Sequence, residues 1–192
     1  MDMMEAIYQR RSVRDYRPDA VPQEAIDALV AAAVHAPSAM NLQPWAFIVI
    51  EGREILSRCA ERAKHYLLET LEPNSPLYRY RAQLSEPSFD IFYGAPALIV
   101  IAATSDAAQA AEDCCMAAQN LLLAAHGIGL GTCCIGFARP WLSLSDTKSE
   151  LQIPEIYAPV VPIVVGYPGR AAPRVPRKLP EVHRIGKGLS GG

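Results

Sequence analysis

The chain has 192 residues, of which 51% are hydrophobic and 20% are charged, so it is long enough for one domain with its own core and too apolar to be intrinsically disordered. Its formal net charge of −2 argues against nucleic acid as the main partner, and its longest apolar runs, such as residues 95–103, are too short to span a bilayer. The N-terminus lacks the apolar stretch of a secretory signal, so we expect one cytoplasmic domain over residues 1–192 that binds neither nucleic acid nor a membrane.

The first fifty residues predict two helices, a loop and a strand. Residues 3–10 are expected to form a short helix with Asp2 at its N-cap, and Pro22 opens a second helix that ends before Pro37. Apolar residues repeat along this second helix at helical spacing: Ile26, Leu29, Val30, Ala33 and Val34. Residues 45–50 are rich in β-branched and aromatic side chains, which is typical of a strand.

The middle of the chain predicts a helix, an irregular segment and a buried strand. Residues 53–71 have the pattern of a helix with a charged face. Residues 72–93 mix prolines with aromatic side chains without a regular period, so we expect an irregular segment with short helical pieces. Residues 97–103 are continuously apolar, which predicts a central strand.

A long helix is predicted over residues 107–126. Around residues 121–125 it is apolar on nearly all sides, so we expect it to be buried all round, in part by a partner subunit. The glycines of residues 127–131 follow this helix, whereas dinucleotide-binding glycines precede one, so a helix C-cap and a tight turn are the better interpretation. Two further strands are expected at residues 132–136 and at residues 160–165. From Gly166 onward we expect an extended basic tail.

Positive charge concentrates at the two ends of the chain. The basic residues near the start are Arg10, Arg11, Arg14 and Arg17, and those near the end are Arg170, Arg174, Arg177, Lys178, Arg184 and Lys187. Residues 18–169 hold only 8 of the 18 Lys and Arg residues, against 16 acidic side chains. The two basic ends could converge on one small anion such as a phosphate, although charge alone favours two solvated ends.

The cysteines and histidines do not form a recognisable site. The five cysteines are Cys59, Cys114, Cys115, Cys133 and Cys134. Because there is no C-x-x-C spacing and adjacent cysteines cannot wrap around a metal, we expect no metal site and small core side chains in a reducing compartment, with a redox role for one thiol as the alternative. The four histidines are isolated and no G-x-S-x-G occurs, so hydrolytic chemistry is disfavoured.

Two local clusters carry side chains suited to ligand binding. In the first, Arg10, Arg11, Ser12 and Arg14 place three guanidiniums and a hydroxyl within five residues, which can hold a phosphate and a polar ring edge. The second is a proline-bounded loop that carries a hydroxyl and two amides and can bind a polyol or a heterocycle edge. Its residues are Pro37, Ser38, Asn41 and Gln43. Either cluster alone could also be an ordinary capping loop.

Five segments carry distinctive motifs: RRSVRDY at residues 10–16, APSAMNLQPWAFIVI at 36–50, AAQNLLLAAHGIGLGTCCIGF at 117–137, VVGYPG at 164–169 and PRKLP at 176–180. In their order and spacing, these segments resemble the FMN-dependent nitroreductase family. The resemblance covers nearly the whole chain. It implies an α+β fold in which helices wrap a central, mostly antiparallel sheet, and an intertwined homodimer with FMN bound tightly.

The resemblance also implies roles for individual residues. Arg10 and Ser12 match positions that hold the FMN phosphate and ribityl chain, with Arg11 beside them, and Arg14 matches a cation near the flavin pyrimidine edge that would stabilise the reduced flavin. On the proline-bounded loop, Ser38 and Asn41 match positions that reach the flavin from the partner subunit, with Pro37 shaping the loop and Gln43 beside them. The backbone N–H groups of Ile135 and Gly136 match donors to flavin N5 and O4, and either Arg177 or Lys178 matches a phosphate ligand.

The implied activity is a ping-pong reaction in which NADH or NADPH passes a hydride through flavin N5 to a small oxidant such as a nitroaromatic or a quinone. No catalytic side chain is certain, because the flavin does the chemistry. Residues 72–93 correspond to the variable region that covers the substrate, and we expect Phe89, Phe92 and Tyr93 to form this lid. No Glu–Tyr–Lys lid is recognisable, which disfavours deiodination. The alternatives are a flavin carrier or sensor without turnover, and a flavin-dependent desaturase or flavin-fragmenting enzyme on the same fold.

Overall fold

A computed structural model describes residues 2–185, which form a four-stranded antiparallel sheet flanked by helices. The strands are β1 (Trp45–Glu51), β2 (Ala97–Ala103), β3 (Gly131–Cys134) and β4 (Ala158–Gly166), in the spatial order β1-β2-β4-β3. The helices are α1 (Met3–Gln9), α2 (Gln23–Ala33), α3 (Arg53–Thr70), α4 (Arg81–Ser85), α5 (Ala110–Gly127), α6 (Arg139–Leu142) and α7 (Ser145–Glu150). This architecture confirms the predicted α+β class with an antiparallel central sheet.

Strand β2 lies inside the sheet, and all seven of its residues are buried. Leu98 and Val100 belong to the core formed with α3 and α6, whereas Ile99 and Ile101 belong to the core formed with α2 and α5. The unbroken apolar run is therefore explained, because a strand that is covered on both faces needs apolar side chains in both directions.

The two helical layers follow from the predicted periodicities. On α2, Ile26, Leu29 and Ala33 are buried in the same cluster as the apolar residues of α5. On the opposite face of the sheet, α3 buries residues at helical spacing and leaves its charged side in solvent, as predicted. The buried residues of α3 are Leu56, Cys59, Ala60, Ala63 and Leu67.

Burial of α5 is partly supplied by its own chain. Leu121, Leu122 and Ala125 are buried within the single chain by α2 and the sheet, whereas Leu123 and Ala124 are only half-buried. The expected contribution of a partner subunit to this burial stays a prediction. Exposed apolar side chains also lie on α1, where they include Met3, Met4, Ile7 and Tyr8. Periodicity shows that a helix face is apolar, but only the packing shows which neighbour covers it.

One strand end and two short helices in the second half of the chain also differ from prediction. Strand β3 ends at Cys134, and the predicted last residues of the strand, Ile135 and Gly136, lead into a 3₁₀ turn at Gly136–Ala138. Helices α6 and α7 were not predicted because four and six residues are too few for a helical repeat to be recognised.

The glycine-rich segment ends α5, as the sequence predicted. Gly129 has a φ of 82°, a left-handed conformation that favours glycine, and the Leu130 N–H donates to the Ala125 carbonyl at 2.8 Å. This cap turns the chain directly into β3. The glycines therefore form the backbone turn that the sequence predicted.

The segment that follows α1 runs along the outer edge of β3. Ser12 bridges Thr132, Tyr16 bridges Pro168, and the Val13 N–H donates to the Thr132 carbonyl at 2.9 Å. This extra pairing fixes the positions of the arginines between residues 10 and 14 relative to the end of β3.

Gly131 leaves room for this pairing. A Cβ at Gly131 would lie 2.7 Å from Val13 Cγ2, so we expect Gly131→Ala to lower the free energy of unfolding by about 1–3 kcal/mol. A Cβ at Gly127 would meet nothing within 4 Å, so Gly127→Ala is the matched control and should be neutral or stabilising by up to about 1 kcal/mol. Urea unfolding of both variants measures the difference, and equal effects would contradict this account.

The described tail continues from Arg170 to Ile185 without helix or strand, and nearly all of its residues are exposed. This agrees with the predicted extended basic tail. The described residues end at Ile185, so the basic residue Lys187 lies outside them. Within residues 2–185, no helix is both long and apolar enough to cross a membrane.

Candidate functional site

A cavity of about 560 Å³ lies beside the end of β3. Cys133 and Cys134 of the strand line one side, the turn from Ile135 to Phe137 continues that side, and Arg14 projects from the N-terminal segment. The irregular segment that precedes β2 contributes Leu77, Arg79, Tyr80, Gln83 and Tyr93. The space is wide enough for a planar ring system between walls that are largely aromatic and apolar.

A smaller cleft of about 250 Å³ is lined by the residues that the sequence predicts to bind a phosphate. Its polar lining residues are Arg10, Arg11, Ser12, Arg14 and Arg177. Arg14 lines both this cleft and the larger cavity, so the two spaces meet at its side chain. The two basic ends of the chain do converge, and Arg177 rather than Lys178 faces the cleft.

The guanidiniums in this cleft carry positive charge that no nearby carboxylate neutralises. Among the residues that the structure describes, the arginine ion pairs with carboxylates involve Arg17, Arg62 and Arg170 and none of the cleft arginines. Arg11 Nη1 donates to the carbonyls of Tyr8 and Arg10, both at 2.7 Å, while its buried Nε finds no acceptor. Unpaired guanidiniums beside a hydroxyl suit a phosphate.

Tyr93 lies beside Arg14 in the wall of the cavity. The Arg14 guanidinium lies 6.0 Å from the centre of the Tyr93 ring, and burial raises the pKa of the Tyr93 hydroxyl although Arg14 opposes that rise. Tyr93 has a φ of 58°, and the Asp90 carboxylate holds this strained turn by accepting hydrogen bonds from the N–H groups of Phe92 and Gly94 at 2.7 and 2.8 Å.

Of the three predicted lid residues, only Tyr93 lines the cavity. The prediction for Phe92 is wrong, because its side chain is buried in the core against α3 and cannot cover a ligand. The prediction for Phe89 is also wrong, because this residue packs against the same core and lines a separate cavity of about 180 Å³ beside Lys64. Tyr80 and Phe137 take their places, with ring centres 5.6 Å apart in an edge-on arrangement.

The two backbone amides predicted to face the flavin are not equivalent. The Ile135 N–H donates to the Pro162 carbonyl at 2.8 Å, so it is already used by the sheet. Gly136 opens the 3₁₀ turn, where the first N–H groups have no partner within the turn. A Cβ at Gly136 would meet nothing within 4 Å, which means that open space lies beside this amide. Only Gly136 remains available as a donor.

Burial raises the pKa of the Cys133 thiol, although the nearby Arg14 lowers it. A raised pKa keeps this buried thiol protonated at neutral pH, and only the thiolate is strongly nucleophilic. Cys134 also lines the cavity but is exposed, so a redox role for one thiol stays a prediction.

The proline-bounded loop is held in a strained shape by hydrogen bonds. Ser38 Oγ accepts from the Gln43 N–H at 3.0 Å, and Gln43 Nε2 donates to Asn41 Oδ1 at 3.0 Å. Met40, Asn41 and Gln43 all have φ values between 48° and 57°, which is unfavourable for residues other than glycine. The buried Asp113 carboxylate of α5 anchors the loop by accepting from the Ala39 N–H at 3.1 Å.

Removing this anchor should loosen the loop. Asp113→Ala would leave the Ala39 N–H without its partner, so we expect the free energy of unfolding to fall by about 1–3 kcal/mol and the amides of residues 38–43 to exchange hydrogen faster. Glu112→Ala removes an exposed carboxylate from the same helical turn and is the matched control. The anchoring role is refuted if both variants show the same exchange rates in the loop.

Within one chain, the loop and the arginine cluster lie at opposite corners of the sheet. Trp45, just after the loop, is level with Ala158 at the start of β4, whereas Ser12 lies beside Thr132, which is level with Val165. The two corners are about 20 Å apart along the strands and about 20 Å apart across them. Neither cavity is lined by a residue of the loop, so a single chain does not bring the two predicted clusters together.

Known proteins resemble this chain over most of its length. Residues 7–167 match the model of the Nitroreductase family. The "Putative NADH dehydrogenase/NAD(P)H nitroreductase" of Methanothermobacter thermautotrophicus is 33% identical over 88% of this chain and 78% of its own length. An iodotyrosine deiodinase of Thermotoga neapolitana is 29% identical over 88% of this chain and 90% of its own length. The crystal structure of a nitroreductase with bound FMN from Desulfitobacterium hafniense is 28% identical, with a TM-score of 0.78 over 95% of this chain and 100% of that chain.

Proposed function

The chain belongs to the nitroreductase family, and from this premise we propose that it is an FMN-dependent oxidoreductase that uses NADH or NADPH to reduce a small oxidant such as a nitroaromatic or a quinone. The observation that carries the proposal is the junction at Arg14 between the cationic cleft and the larger cavity. A phosphate and a planar ring joined by a short polar chain would fit such a pair of spaces.

The donor set in the cleft fits the phosphate of FMN. The guanidiniums of Arg10 and Arg177 are free of carboxylates within the described chain, and the Ser12 hydroxyl lies among them. A phosphate would also reduce the mutual repulsion of these cations, which otherwise opposes the compact state. Similar FMN-bound proteins support the assignment.

The residues around the cavity have separate roles in this proposal. When bound, FMN supplies the redox chemistry, because it takes up a hydride from a nicotinamide and passes it on to an oxidant. Arg14 places positive charge where a reduced, anionic ring would need it, and the Gly136 N–H offers a hydrogen bond to a ring edge. Tyr93 and Tyr80 provide aromatic surface that limits the access of water.

A second copy of the chain completes the proposed site. Because the loop that carries Ser38 and Asn41 lies at the far corner of its own sheet, it can approach the arginine cluster only from a partner chain. Two exposed features also suit a homodimer: the apolar side chains of α1, and a tail in which Leu179 is 95% exposed. A two-fold arrangement would bury them and form two equivalent sites.

The cytoplasm remains the proposed location. All five cysteines are free thiols, which is the form that a reducing compartment maintains.

Anaerobic mixing of the purified, FMN-loaded protein with NADH and with NADPH tests the proposed function. We expect the flavin absorbance to bleach rapidly with at least one of the two nicotinamides and to return when a nitroaromatic or a quinone is added. A flavin carrier or sensor would bind FMN without rapid bleaching. Persistent absorbance with both nicotinamides would therefore refute the oxidoreductase proposal in favour of that alternative.

A further inference from the structure

Three side chains from two distant segments form one wall of the large cavity. The Arg79 guanidinium lies 5.0 Å from the centre of the Tyr80 ring, and Tyr80 meets Phe137 edge-on at 5.6 Å. Phe137 directly follows Gly136, whose amide borders open space. In the proposed function the flavin ring edge lies at that amide, so a planar substrate next to the flavin would contact an aromatic wall with a cation at one end.

The charges that line the cavity have one sign. Its lining includes two guanidiniums, those of Arg14 and Arg79, and no carboxylate from the described part of the chain. In the proposed function Arg14 serves the cofactor, which leaves Arg79 for the substrate. No ion pair between Arg79 and a carboxylate is formed within residues 2–185, and its side chain is exposed at the wall.

We propose that the preferred oxidant is a planar aromatic compound that carries a carboxylate or a similar single anionic group. Tyr80 and Phe137 pack against the ring, and Arg79 binds the anionic group by a charge-assisted hydrogen bond. Arg79 thereby determines specificity. This inference rests on the proposed function, since it names the substrate class of the same site.

The same charge pattern separates this cavity from one built for a zwitterionic amino acid. Iodotyrosine, the substrate named for one similar protein, carries an ammonium group as well as a carboxylate. An ammonium group is best stabilised by an anionic partner when water is excluded, and the described lining of this cavity supplies neutral acceptors such as the Gln83 amide but no carboxylate. An aromatic acid without an amine matches the lining better.

Binding and turnover of two matched compounds test the inference. Para-nitrobenzoate and para-nitrobenzyl alcohol have the same ring and nitro group, but only the first is an anion. Calorimetric titration of the FMN-loaded protein should show tighter binding of para-nitrobenzoate by about two- to fivefold, the range for an exposed ion pair. The ratio of kcat/KM for the two compounds should show the same preference with NADH or NADPH as reductant.

Three variants identify the residue responsible. Arg79→Gln should abolish the preference for the anion and leave the affinity for the alcohol within about twofold, because the aromatic wall is unchanged. Arg79→Lys should retain part of the preference. Arg81→Gln removes a neighbouring exposed arginine that does not line the cavity, so it should behave like the unmodified protein.

The possible failures can be told apart. Equal affinities for the two compounds in the unmodified protein, or an equal loss of preference in the Arg79→Gln and Arg81→Gln variants, would overturn the assignment of Arg79. Neither result would affect the bleaching experiment, which tests the oxidoreductase activity by itself. If the flavin does not bleach but the calorimetric preference depends on Arg79, the anion site stands and the proposed reaction fails.

Discussion

Replacing Arg10 with alanine is expected to weaken FMN binding by about 1.5–3 kcal/mol, which corresponds to roughly 10- to 150-fold in the dissociation constant. The reason is electrostatic. Arg10 lines the cationic cleft and forms no carboxylate ion pair in the described chain, so its full charge is available to a phosphate. Fluorescence titration of the purified protein with FMN measures the constant directly.

Arg17→Ala is the matched control for this measurement. Arg17 lies in the same N-terminal segment, but its guanidinium is paired with Asp19 at 2.9 Å and lines neither cavity. The control should bind FMN with nearly the affinity of the unmodified protein. An unchanged dissociation constant for Arg10→Ala, or an equal loss in both variants, would remove Arg10 from the proposed phosphate site.

Two inactive variants should restore activity to each other when they are combined in one dimer. In a homodimer with shared sites, each site takes Arg14 from one chain and Asn41 from the other. A heterodimer of an Arg14→Ala chain and an Asn41→Ala chain would then contain one site with both changes and one site with neither. We expect roughly half of the NADH or NADPH oxidation of the unmodified dimer, from its one intact site of two.

The reciprocal heterodimer is the control. When one chain carries both Arg14→Ala and Asn41→Ala and its partner carries neither, each shared site contains one change, so activity should stay low. If each site belonged to a single chain, the two results would be exchanged: the reciprocal heterodimer would be half active and the first one impaired. Co-expression with two different affinity tags gives both heterodimers in verified form.

The spacing of hydrophobic residues was sufficient to predict the main helices and strands without any tertiary contact. The continuous apolar run predicted β2 with its observed limits, because a strand buried on both faces has no polar positions. The glycines after α5 predicted its end, because a left-handed cap such as Gly129 is nearly specific to glycine. The density of guanidiniums at residues 10–14 likewise indicated an anion site, since such a concentration of charge is apparent in the chain itself.

Contacts between distant segments decided the rest of the site. Phe92 and Tyr93 are neighbours in an aromatic segment, yet one is buried in the core and the other lines the cavity, because a positive-φ turn held by Asp90 directs them apart. Ile135 and Gly136 look equally suited to donate an N–H until the Pro162 carbonyl of β4 occupies the first.

The distance between the arginine cluster and the proline-bounded loop was also set by the tertiary structure. The sequence by itself determined which residues could bind a phosphate and a ring edge, because side-chain chemistry is local. It did not determine that the loop at residues 37–43 and the arginines at residues 10–14 lie at opposite corners, because that distance depends on the strand order β1-β2-β4-β3. Strand order results from long-range pairing, which residue spacing within a segment does not encode.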